Sequence, residues 1–189
     1  MRFELLIAGM GGQGILLAGT IVGTAVSVYG GLNATQIVSY GPEARGGRVY
    51  TEVVLSDEEI DYPRVREADF VIVMSQRAYD EFARRVKPGG VVIYDPDLVE
   101  PHEPPEEAEL LPVPATRIAE RLGMRRSANM VMVGFLTAIC GLLRPEDVEK
   151  AIASRVRPEL VEVNLRAFRE GYEMGLNAGG GRGIRGGSA

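Results

Sequence analysis

Short apolar runs separated by glycine loops fill the first 113 residues, and apolar positions at helical spacing dominate the rest. Residues 3–8 are apolar and end in glycine, which predicts a strand. From Gly14 onward, Ile15, Ala18, Ile21, Val22, Ala25, Val26 and Tyr29 recur at helical spacing, and Gly30-Gly31 supplies a C-cap signal. Residues 32–38 predict a second strand. A helix between two short strands is a βαβ unit, whose right-handed crossover makes those strands parallel. Residues 49–55 are rich in β-branched side chains and follow a loop with no room for a helix. They are expected to run antiparallel to the second strand.

Residues 69–74 read as a buried strand, and Ser75 as the N-cap of a helix over 76–86. Pro88-Gly89-Gly90 turns the chain into a strand over 91–94, which Asp95-Pro96-Asp97 ends. Residues 100–109, rich in proline and acid, read as a surface loop, and 110–113 as a last strand. Helical patterns follow over 115–122, 127–143, 145–155 and 159–176. The order predicts an α/β fold: a three-layer Rossmann-like domain with a mostly parallel sheet and C-terminal helices packed on it. Residues 1–176 form that domain. Residues 177–189, mostly glycine with Arg182 and Arg185, are expected to be a flexible tail, because they carry too little apolar area to order themselves.

Composition narrows the class. The chain has 189 residues, 46% of them hydrophobic, enough for one domain with a real core. Its net charge of −5, with no basic stripe, argues against nucleic-acid binding. No apolar run is long enough to span a membrane, and residues 1–4 lead into a strand without the apolar core of a signal peptide. The chain has one cysteine, which fits a reducing cytoplasm. Cys140 sits in an apolar helix pattern and cannot ligate a cluster alone. His102 stands alone among prolines and acids, and no zinc spacing exists.

Two loops hold the candidate chemistry. The first is Gly9-Met10-Gly11-Gly12-Gln13-Gly14. Glycines after a strand and before a helix permit close backbone approach to phosphate, and the helix dipole favours the anion. The plain alternative is a tight strand-to-helix turn with no ligand. A dinucleotide site also wants an acid about 20 residues on, at the end of the second strand. Residues 34–39 read Ala-Thr-Gln-Ile-Val-Ser, so that acid is missing, and Gln13 is bulky beside the glycines. The second loop is Ser39-Tyr40-Gly41-Pro42-Glu43-Ala44-Arg45-Gly46-Gly47. Pro42 fixes one backbone angle and Gly46-Gly47 free two others. Arg45 can offer a planar fork to phosphate or carboxylate. The plain alternative is a turn in which Arg45 pairs with Glu43 or Glu52.

Together the two loops closely resemble, in order and spacing, the gamma subunit of 2-oxoacid:ferredoxin oxidoreductases. The likeness continues through residues 57–63 (Asp-Glu-Glu-Ile-Asp-Tyr-Pro), Met74-Ser75-Gln76, Asp95 and Asn129-Met130-Val131, and covers about residues 1–175. Ser-Tyr-Gly-Pro-Glu-Ala-Arg-Gly-Gly is most like the 2-oxoglutarate or general 2-ketoacid branch.

The resemblance implies a part in oxidative decarboxylation of a 2-oxoacid with coenzyme A, giving acyl-CoA, carbon dioxide and reduced ferredoxin. It implies thiamine diphosphate held by alpha and beta partner subunits, iron–sulfur clusters elsewhere in the complex, and an optional ferredoxin-like delta chain. The chain alone is expected to be inactive, and a homodimer in isolation is compatible with the reading. The cofactor-binding residues implied are Gly9, Gly11, Gly12, Gln13, Gly14, Ser39, Tyr40, Gly41, Glu43, Arg45, Gly46 and Gly47. They face either coenzyme A or the alpha subunit. Ser75 and Asp95 read first as helix cap and turn, and Asn129 as cleft-facing or a local cap. A stand-alone nucleotide-binding or interaction module of the same fold is the reading from a different class.

Overall fold

Alternation explains how an apolar run becomes the centre of a sheet. Phe3, Leu5 and Ile7 join one hydrophobic cluster, Leu6 and Ala8 another, and all five are buried. Successive side chains of a strand leave opposite faces, so such a run needs cover on both. The computed structural model describes residues 1–43 and 45–179, and it supplies that cover. Strands β1 (Arg2–Met10), β2 (Asn33–Tyr40), β3 (Arg48–Ser56), β4 (Ala68–Val73), β5 (Val86–Tyr94) and β6 (Glu109–Pro112) form one sheet in the order β2-β3-β1-β4-β5-β6. β3 is antiparallel to both of its neighbours, while β1, β4, β5 and β6 are mutually parallel. β2 shares their direction. The expected antiparallel strand exists, and it lies between the two strands of the expected βαβ unit.

The helices are α1 (Ile15–Thr24), α2 (Gln76–Phe82), α3 (Ala115–Arg121), α4 (Ala128–Cys140), α5 (Pro145–Arg155) and α6 (Pro158–Asn177). α1, α3, α4, α5 and α6 contribute to the cluster on one face of the sheet; α2, with Val65 and Val99, covers the other. The outcome is the three-layer α/β architecture. Every residue of α4 is buried, which makes it the axis of the helical layer.

Several boundaries differ from the sequence reading. The helix predicted over 14–29 is α1 followed by a π-helical turn, Ala25–Tyr29. α2 stops at Phe82, and a 3₁₀ turn over Ala83–Arg85 leads into β5. Pro88-Gly89-Gly90 is therefore no turn: it lies inside β5, where the register shifts between Ala68 and Phe70 and Gly89 has φ 75°. A bulge next to a parallel strand absorbs residues that locally read as a breaker. α4 ends at Cys140 because Gly141, with φ 68°, caps it. α6 runs to Asn177, one residue past the expected domain end, and residues 180–189 of the expected tail lie outside the described residues.

Candidate functional site

Gly9 and Met10 complete β1, and Ser39 and Tyr40 complete β2, so these four belong to strands and not to loops. The cause is β3, whose pairing extends to Met10–Arg48 on one side and Tyr40–Val49 on the other. Both loops thus leave the same sheet edge, and there they join. The Gly11 N–H donates to the Gly47 carbonyl at 2.8 Å. A β-carbon on Gly11 would stand 3.2 Å from the Gly46 nitrogen, so glycine permits this approach.

Gln13 spans the ends of β1 and β4. Its Oε1 accepts from the Met10 N–H at 2.7 Å, and its Nε2 donates to the Met74 carbonyl at 2.7 Å. The carboxamide also fills the space over Gly9, 2.4 Å from where a β-carbon would be. A dinucleotide would need that crevice open. Gly14, at φ 72°, caps α1, and its carbonyl accepts from Asn129 Nδ2 at 3.0 Å. Asn129 is 2% exposed and also accepts from the Met130 N–H. It therefore fastens the first turn of α4 to the first loop.

The second loop closes through the Gly41 N–H, which donates to the Arg48 carbonyl at 2.6 Å. Glu43 folds back across it: a β-carbon on Gly41 or Gly47 would lie 2.3 or 2.6 Å from its Oε2. Its Oε1 pairs with Arg77 of α2 at 2.8 Å, and Arg48 pairs with Glu81 on the same helix. One ion pair ties this loop to α2, and a second ties the first residue of β3 to the same helix. Glu43, though exposed, is fastened to α2, while Arg45 has no such tie. Arg45 is exposed and has no ion-pair partner among the described residues. The carboxylates it was weighed against are taken: Glu43 by Arg77, and buried Glu52 by Arg64 at 3.1 Å and Arg85 at 2.8 Å.

Hydrogen bonding to Arg77 holds the Glu43 carboxyl below its ordinary value of 4.5. A depressed carboxyl stabilises the fold above the unfolded value, and the effect is lost as pH falls through the folded one. A carbon-detected titration of Glu43 is expected to give a midpoint below 4.5 that moves back up in Arg77→Ala. One midpoint in both proteins would show that the pair does not hold the loop.

The other candidates have structural duties. Ser75 caps α2, accepting from the Ala78 N–H at 3.1 Å. Asp95 is fully buried; its Oδ2 accepts from the Thr116 N–H and hydroxyl, and its Oδ1 from the Asp97 N–H. His102 is exposed beside Asp80, at 2.8 Å. Cys140 is buried, and burial pushes its thiol up. Among the described residues, no group of three or more His, Cys, Asp or Glu is placed to hold a metal. No helix among them is long and apolar enough to cross a membrane.

Beside the first loop lies a cleft of about 120 Å³, lined by Gly12, Gln13, Met74, Leu98, Thr116, Arg125, Arg126 and Ala128. Its walls follow the carboxyl ends of β1, β4, β5 and β6, where α/β sheets of this type bind ligands. Gly12 and Gln13 were legible from the sequence; Met74, Leu98, Thr116, Arg125, Arg126 and Ala128 were not proposed as site residues. Their sequence signals were the place of Met74 in the family likeness and the nearness of the arginines to Asn129. Met10, Leu16 and Tyr40 are exposed apolar side chains around the ends of β1, α1 and β2, Tyr40 at 63%.

The sequence profile described as pyruvate ferredoxin/flavodoxin oxidoreductase matches residues 4–174. The chain belongs to that family. A 2-oxoglutarate synthase subunit KorC from Methanocaldococcus jannaschii is 46% identical over 176 residues, covering 92% of this chain and 94% of its own length. A keto/oxoacid ferredoxin oxidoreductase gamma subunit from Geobacter sulfurreducens PCA has a solved structure with a TM-score of 0.84 at 36% identity, covering 94% of this chain and 98% of that one. A 2-oxoglutarate:ferredoxin oxidoreductase from Magnetococcus marinus, solved with 2-oxoglutarate, coenzyme A and succinyl-CoA bound, also gives a TM-score of 0.84, at 26% identity. The match covers 93% of this chain and 31% of that longer one. Membership in the oxidoreductase family thus bears out the resemblance that the two loops carried.

Proposed function

We propose that this chain is the gamma subunit of a 2-oxoglutarate:ferredoxin oxidoreductase, and that its joined loops help to place coenzyme A. The reading rests first on the Gly11–Gly47 hydrogen bond, which turns two motifs into one edge beside a cleft. The names of the KorC relatives and the coenzyme A in the Magnetococcus complex support the substrate and the ligand. Thiamine diphosphate belongs to alpha and beta partners, and the iron–sulfur clusters to other parts of the complex. When bound, coenzyme A supplies the thiol that takes up the acyl group.

The size of the cleft supports a shared site. Sites that bury a small ligand run to about 300–1,000 Å³. A cleft of about 120 Å³ admits a phosphate group but no nucleotide. The rest of the site comes from a partner subunit, and the exposed Met10, Leu16 and Tyr40 offer that partner an apolar rim. Coenzyme phosphates then lie at a subunit junction, held by Arg45 and the first loop.

Arg45→Ala in the assembled complex is expected to raise the KM for coenzyme A roughly three- to tenfold, as befits a solvent-exposed charge-assisted contact. Turnover number and thiamine content are expected to stay unchanged. Coenzyme A kinetics equal to wild type would remove Arg45 from the site.

A further inference from the structure

The two lateral edges of the sheet are built differently. β6, at one end, is four residues long, starts at Glu109 and closes on Pro112. Shortness, a charge and a proline each discourage a further strand. β2, at the other end, has none of these guards. It runs for eight residues without a charge or a proline, and its ladder to β3 has no register shift. The Gly41 N–H donates to the carbonyl of Arg48, which continues the same register, and this fixes the alternation of the ladder. Residues 33, 35, 37 and 39 therefore bond to β3, while the N–H and C=O groups of Ala34, Gln36, Val38 and Tyr40 point away from it along the open edge.

The surroundings of this edge are also free of charge. From Leu5 to Pro42 the sequence holds no Asp, Glu, Lys or Arg, in a chain that is 25% charged. α1 stands over the strand: the Leu16 carbonyl accepts from Gln36 Nε2 at 3.1 Å, and the Thr20 hydroxyl donates to Gln36 Oε1 at 3.0 Å. Edge and overhanging helix run on into the apolar rim at Leu16 and Tyr40, both exposed.

We propose that β2 is the docking edge for a partner subunit, which adds an extended, uncharged segment of its own as a seventh strand. Main-chain bonds to Ala34, Gln36, Val38 and Tyr40 hold the segment, and its side chains on the α1 side rest against Leu16. The assignment rests on the reading that the rim faces a partner subunit, with which this edge is continuous. A partner subunit fits better than a second copy for another reason. In the Magnetococcus chain the matching fold is 31% of a longer polypeptide, so there it comes joined to further chain in a fixed ratio.

Hydrogen exchange resolved to single amides tests the added strand, on the isolated chain and on the assembled complex. In the isolated chain the amides of Ala34, Gln36, Val38 and Tyr40 are expected to exchange roughly a hundredfold faster than those of Thr35, Ile37 and Ser39, and to slow to match them on assembly. Val38→Lys puts a charge on the edge and leaves the β3 ladder intact. It is expected to weaken assembly about tenfold or more while the isolated chain melts within a few degrees of wild type. Val38→Thr is expected to assemble normally. Amides of these four residues that stay fast in the complex, or a Val38→Lys chain that assembles like wild type, overturn the added strand. Protection that appears in the isolated chain and grows with its concentration gives the edge to a second copy and overturns the proposal too. Radical footprinting of Met10 and Tyr40 in the same complex separates the failures. If they are shielded while the four amides stay fast, only the added strand falls; if neither is shielded, the partner-covered rim falls with it.

Discussion

Gly171→Leu is expected to lower the melting temperature by about 6–12 °C, from a cost of roughly 3 kcal/mol in a chain of this size. α4 and α6 approach through their backbones. A β-carbon at Gly171 would lie 2.0 Å from the Val131 carbonyl oxygen, and one at Gly134 would lie 2.0 Å from that of Phe168. Gly175 continues the line against Ala138. Backbone atoms cannot rotate away as a side-chain tip can, so the helices must separate. Because α4 is buried along its whole length, that separation opens the core. Gly23→Ala is the control: beyond its chain neighbours and its own helix backbone, no described atom lies within 4 Å of its added carbon. It is expected to keep or raise stability by about 0.5–1 kcal/mol, the helix preference for alanine. A Gly171→Leu protein melting within a degree of wild type would contradict this packing.

Gly14→Val carries the second large effect, and it reaches the site. The residue sits at φ 72°, where a β-branched side chain costs about 1–2 kcal/mol. Its β-carbon would meet Asn129 Nδ2 at 2.3 Å and so displace the amide from the Gly14 carbonyl. Losing that part-buried hydrogen bond adds about 1–3 kcal/mol. The variant is expected to unfold at lower denaturant and to raise the KM for coenzyme A more than Arg45→Ala does, because the starts of α1 and α4 move together. Asn129→Ala in the same chain is expected to relieve the collision and leave the backbone cost and that of the lost hydrogen bond. Wild-type stability and coenzyme kinetics in Gly14→Val would show that the loop is not fastened through this contact.

What could be read from the sequence follows from how local each cause is. β1 and β4 were legible because strands buried on both faces carry unbroken apolar runs. The misfit of Gln13 with a dinucleotide was legible from its bulk, but its bridge to the Met74 carbonyl was not, since that partner is 61 residues away. Glycine 89 and glycine 90 suggested a turn because a bulge beside a parallel neighbour leaves no local mark. Ser39 and Tyr40 looked like loop because pairing with β3 decides where β2 ends. Arg45 was found through its motif. The place of Arg126 on the cleft wall was not legible because it depends on the distant first loop folding against α4, a contact made by Asn129 across 115 residues.

In the proposed function, the carboxyl edge of this sheet meets coenzyme phosphates at a junction with a partner subunit. The most direct measurement is a structure of the assembled complex with coenzyme A bound. It is expected to show a phosphate group within hydrogen-bonding distance of the Gly12–Gly14 backbone and the Arg45 guanidinium, with Met10, Leu16 and Tyr40 covered by the partner. A partner side chain filling the cleft, with coenzyme A held entirely by other subunits, would contradict it.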